Sequence, residues 1–128
     1  MENINKQKYV RIQTRYCGKT DKPVGIFGAC HHVVNKSYHN FNVTEEEKQL
    51  FLDIENWFEM YLPNPPFYKD GNPNKCITWF KTETTNEMVE KLYPLMNLLE
   101  KYNVEYDVVY TNFVGKIVYE DEYQVAVE

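Results

Sequence analysis

Thr44-Glu45-Glu46-Glu47 constrains this chain more than any other segment. A threonine three residues before a glutamate can form a capping box. The hydroxyl caps the Glu47 amide while the Glu47 carboxylate reaches back to the Thr44 amide. Three acids in the first turn also suit the positive end of the helix dipole. Pro63 ends the segment, because proline cannot continue a helix. Between these marks Leu50, Ile54, Trp57, Phe58 and Tyr61 form one stripe, widened by Phe51 and Leu62. Such a helix must lay its stripe on a second layer.

Alternating segments supply that layer. From Lys8 to Arg15, Tyr9, Arg11, Gln13 and Arg15 fall on one side and Val10, Ile12 and Thr14 on the other. Period two with β-branched residues predicts a half-buried strand. Cys76–Thr82, Glu105–Thr111, Lys116–Tyr119 and Tyr123–Val127 read as four more strands. A short helix is expected over Val24–Val34, with Pro23 in its first turn, although Gly25 and Gly28 weaken it. A third helix opens at Thr84-Thr85-Asn86-Glu87, again with capping-box spacing. Its apolar positions are Met88, Leu92, Leu95, Met96 and Leu99, with a kink expected at Pro94 and Asn103 as C-cap. Pro63–Asn74 is a proline-stiffened loop.

The order β-α-α-β-α-β-β-β predicts an α+β two-layer sandwich. Its sheet is expected to be mixed, with about five strands and about three helices on one face. The Thr78–Thr111 unit is expected to form a right-handed parallel crossover.

The chain has 128 residues, enough for one domain over 1–128 that needs neither disulfide nor metal to fold. Aromatic residues make up 16%, which excludes a disordered chain. No apolar run reaches the ~20 residues of a membrane-spanning helix, and no apolar signal segment follows Met1. The expectation is a soluble cytoplasmic protein without membrane contact. Cys17, Cys30 and Cys76 are odd in number and lack a CxxC, which predicts buried or idle free thiols.

Charge is divided along the chain. Six basic residues against two acids give residues 1–22 a charge of +4, so the rest carries −9 of the net −5. A nucleic-acid-binding domain is usually basic overall, so nucleic acid is disfavoured as a partner.

Cys30, His32 and His39, with Cys17, come closest to a metal set. Their spacing fits no standard zinc pattern, and neither a metal nor another cofactor is expected. Cys30 adjoins His31 and His32, but adjacency in sequence is not approach in space, and no catalytic residue is assigned.

Two functional readings remain. The first is a non-enzymatic protein-binding domain of inhibitor or immunity type. It would dock an acidic, tyrosine-bearing surface, through Phe67, Tyr68, Glu120, Asp121, Glu122 and Tyr123, onto a basic protein partner. The second is a small enzyme or ligand-binding domain for an anionic, nucleotide-like small molecule. Arg11, Arg15, Gly25, Gly28, His31 and His32 would form that site, because a glycine-bearing helix start can receive an anion on its free amides. A pocket that gathers Arg11, Arg15 and His31 or His32 would favour the second reading.

Overall fold

The computed structural model describes residues 7–18, 21–35 and 41–128. Strand β1 (Tyr9–Cys17) organises the sheet. Along one edge it pairs with β4 (Tyr106–Thr111), from Tyr9 opposite Thr111 to Thr14 opposite Tyr106. Its other edge is shared by two strands. β3 (Ile77–Lys81) takes Tyr9 and Val10, and β2 (Pro23–Gly25) takes Gln13 and Cys17. β3 then pairs with β6 (Gln124–Val127), and β6 with β5 (Ile117–Glu120).

The molecule is an α+β sandwich, as the element order implies. Two details of the expected sheet are corrected. Among the described residues it has six strands, because Pro23 begins a short strand and not a helix. Every pairing is antiparallel. β3 and β4 do run in the same direction, but β1 lies between them, so no parallel ladder forms.

Helix α1 (Ile26–Val34) buries Ile26, Ala29, Cys30, Val33 and Val34. Helix α2 (Glu45–Tyr61) begins with both hydrogen bonds of the capping box. Its buried residues are Phe51, Ile54 and Phe58. The expected stripe was centred too far round the helix, since Leu50 is 39% and Tyr61 52% exposed. Trp57 is half-buried, with Lys91 over its ring at 5.0 Å.

The third helix is kinked as the proline predicts. α3 (Asn86–Lys91) meets α4 (Tyr93–Lys101) at Leu92, with Pro94 in the first turn of α4. The expected capping box at Thr84 is not formed. The helix starts two residues later, and Thr84 instead donates to the Glu122 carbonyl at 2.7 Å. Asn103 adopts the left-handed conformation at φ 60°, and the Asn103 and Val104 amides donate to the Glu100 and Leu99 carbonyls. This double closure is the Schellman end of a helix. Leu92, Leu95 and Leu99 have no exposed surface and join Ile12, Phe51 and Val33 in the core between helices and sheet. The Pro63–Asn74 loop contains a 3-10 helix (Pro66–Asp70) ended by Gly71 at φ 77°.

Glu47 does more than cap α2. Its carboxylate also accepts from the Lys101 ammonium and the Tyr102 hydroxyl, which fastens the start of α2 to the end of α4. The Lys101 bond, then the Tyr102 and Thr44 bonds, hold its pKa down at about 2. A carboxyl lowered on folding stabilises the fold above its unfolded value and loses that contribution as pH falls toward the folded value. Thermal unfolding followed from pH 5 to pH 2 should therefore show a steep loss of stability. Glu47→Gln should lower the midpoint at pH 7 and flatten this acid limb. An acid limb as steep in the variant as in the parent would remove Glu47 from the account.

Candidate functional site

β2 and β3 diverge where they share the edge of β1. The β3 pairing ends at Val10 and the β2 pairing resumes only at Gln13. Arg11 fills the gap. Its Nη1 donates to the Thr78 carbonyl at 2.8 Å and its Nη2 to the Pro23 carbonyl at 2.8 Å. Its Nε donates to Gln13 Oε1 at 2.9 Å. The planar fork of donors thus bridges the diverging strands, which a point charge such as lysine cannot do as well. Gly25 leaves room for this approach. A Cβ there would lie 3.3 Å from Nη2 and 3.4 Å from Nη1.

Arg11 is only 8% exposed. All three of its acceptors are neutral, and no carboxylate among the described residues pairs with it. Burial lowers its pKa from 12.5 to about 10. A drop of that size corresponds to about 3 kcal/mol of penalty on the charged form. The guanidinium is therefore a buried cation whose charge the fold has not balanced.

That cation lines a cleft of about 990 Å³, between the diverging strands, α1, the end of α2 and the loop after it. The first turn of α1, from Gly25 to Gly28, lies on its wall. Gly25 offers α1 no side-chain cap, and no acid stands in the first turn. The positive end of the helix dipole thus sits beside Arg11. Gly28 is packed closely, since a Cβ there would meet Val24 Cγ1 at 3.0 Å.

Of the residues named for an anionic ligand, Arg11, Gly25, Gly28, His31 and His32 line this one cleft. Arg15 does not join them. It is exposed and bonds Asp107 across the β1–β4 pairing at 3.1 and 3.2 Å, with Glu105 at 3.4 Å. His32 Nδ1 lies 3.0 Å from the Tyr16 hydroxyl. The cleft also takes residues not assigned to it from the sequence: Tyr68, Asn72, Thr78 and Gln124, with Glu55 and Glu59 on the α2 wall. Partial burial raises the pKa of the Tyr68 hydroxyl.

The residues named for a protein partner are also drawn together in part. Phe67 packs against Tyr119 with ring centroids 6.5 Å apart, which brings the loop beside the β5–β6 turn. The acids of that turn are mostly engaged. Glu120 is paired with Lys81. Asp121 accepts from the Tyr119 hydroxyl and from the Tyr123 and Gln124 amides. Burial alone would raise its pKa, but these donors hold it below the ordinary value. Glu122 is exposed, and Tyr123 packs against the core.

Cys30 and Cys76 are buried and Cys17 is exposed, all as free thiols. Burial pushes the Cys30 thiol up to about 12, and its Sγ donates to the Leu95 carbonyl. A thiol with so little thiolate is a poor nucleophile. Among the described residues no group of three His, Cys, Asp or Glu is placed to hold a metal ion. His39, named in the candidate metal set, lies outside the described residues. Among them also, no helix is long and apolar enough to cross a membrane. Comparisons with protein-family models, curated proteins and solved structures give no significant match, so the functional reading rests on this geometry.

Proposed function

We propose that this chain is a binding domain for an anionic small molecule, held in the cleft against Arg11. One observation carries the reading: a guanidinium 8% exposed, with neutral acceptors only, lines a cleft large enough for a small ligand. An incoming anion would balance a charge the fold leaves unpaired. It would also meet the uncapped first turn of α1, where amides and dipole favour negative charge.

The geometry favours this over docking of a basic protein through the β5–β6 turn. There Glu120 and Asp121 already have partners, and Tyr68 lines the cleft. The charge division of the chain still suits a basic partner, but it designates no particular face.

Titration of ¹⁵N-labelled protein with benzoate tests the proposal, with benzyl alcohol at matched ionic strength as the neutral control. Benzoate should shift the amides of Gly25, Ile26 and Phe27 and the Nε–H of Arg11, and benzyl alcohol should leave Arg11 in place. Shifts confined to other surfaces, or equal shifts with the alcohol, would refute the anionic site.

A further inference from the structure

The same cleft says what the rest of the ligand must be, provided the anionic reading holds. Three features bear on it. First, Arg11 is the one arginine of the lining, and no lysine stands there among the described residues. Glu55 and Glu59 stand on the α2 wall of the same space and make no ion pair with it. A triphosphate would bring about four negative charges to one cation and two carboxylates. Like charges brought together in one cleft repel, more at the half-buried Glu55 than at the exposed Glu59. One negative charge is matched, and a polyanion is not. Second, Val24, Phe27, Leu62, Ile77 and Phe80 all line the cleft and are only half-buried. Four of them pack against the core on their other side, and Ile77 lies on β3. The fold thus leaves apolar side chains accessible in the same cleft as the polar end. Third, two of these accessible side chains are aromatic, Phe27 and Phe80, and the buried ring of Phe58 backs both. Phe58 lies 5.0 Å from Phe27 and 6.2 Å from Phe80, between centroids. Such rings gain edge-to-face energy with an aromatic guest beyond the area they cover.

We infer that the ligand is an amphipathic monoanion: a single carboxylate-type charge at Arg11 and a broad apolar, ring-bearing body along Phe27, Leu62, Ile77 and Phe80. This narrows the nucleotide-like expectation from the sequence. Ring recognition is retained, and the charge count opposes recognition of a polyphosphate.

Isothermal titration with four probes tests the inference: 2-naphthoate, benzoate, 2-naphthalenemethanol and ATP. 2-Naphthoate should bind at one site, at least tenfold tighter than benzoate, because the second ring covers more of the apolar wall. ATP should bind more weakly than either. Ile77→Val keeps a β-branched residue in β3 but removes one apolar carbon from the wall. It should weaken 2-naphthoate about fourfold, as the loss of roughly one buried carbon implies. 2-Naphthoate no tighter than benzoate, or ATP tighter than 2-naphthoate, overturns the amphipathic ligand while leaving the anionic site standing. 2-Naphthalenemethanol as tight as 2-naphthoate overturns the anionic site itself. No binding by any probe overturns both.

Discussion

Phe51→Ala should lower the stability of this protein by about 3–5 kcal/mol, the usual cost of deleting a fully buried aromatic ring. Phe51 is 1% exposed and lies in the core with Val33, Leu95 and Leu99. Its neighbour Leu50 is 39% exposed, so Leu50→Ala should cost well under 1 kcal/mol. The contrast reads the rotation of α2 directly. Trp57→Ala should fall between the two, because Trp57 keeps one side toward solvent and Lys91. Denaturant unfolding of the three variants measures all three values. Equal losses at positions 50 and 51 would show that the helix is rotated from the register described.

The extent of α2 was legible in the sequence because both of its ends carry local chemistry. The Thr44–Glu47 box starts it, and Pro63 follows directly on its C-cap residue Leu62. Its rotation was not, because apolar residues from 50 to 62 cover more than half of its circumference. A stripe that wide does not choose between Leu50 and Phe51. Only tertiary packing, with α1 against α2 and Phe51 in the core shared with α4, makes that choice. The Asn103 end of α4 was legible for the same local reason, since asparagine tolerates the left-handed conformation. Thr84 is not the cap because the helix begins at Asn86, which puts Thr85 at the N-cap position, and the Thr84 hydroxyl donates to the distant Glu122 carbonyl. Strand partners are non-local too. Nothing within Pro23–Gly25 announces a strand, which exists because the edge of β1 beyond Gln13 is otherwise unpaired.

The candidate site divides along the same line. Gly25, Gly28, His31 and His32 were legible because they lie in one continuous stretch at a helix start. Arg11 and Arg15 looked equivalent, two arginines on the polar side of one alternating strand. Their fates differ because of what lies beside them. Arg15 meets Asp107 and Glu105 on the β4 side, in solvent. Arg11 meets the space where β2 and β3 part, and one of its acceptors is 67 residues away in sequence. Tyr68 reaches the cleft through the fold of the Pro63–Asn74 loop, which carries no periodic signal, and Glu55 and Glu59 reach it through the placement of α2.

Arg11→Lys should cost about 2–4 kcal/mol and weaken anion binding more than tenfold, although the formal charge is kept. The guanidinium reaches Thr78 O, Pro23 O and Gln13 Oε1 from three separate nitrogens. An ammonium offers its three donors from one atom, so it cannot span carbonyls on two diverging strands. At least one carbonyl would lose its donor, and the charge would stay buried with fewer bonds. pH supplies a second readout. Burial lowers the pKa of a lysine, as it does that of Arg11, but from the lower starting value of ~10.4. Between the lowered folded value and ~10.4 the unfolded state binds more protons, so the stability of the variant must rise with pH. The parent shows no such rise there, because Arg11 stays largely charged until about pH 10. Urea unfolding of parent and variant at pH 7 and pH 9.5 measures both effects. A variant as stable as the parent at pH 7, with no gain at pH 9.5, would show that the charge is not buried between the strands. The anionic site would then have lost its cation.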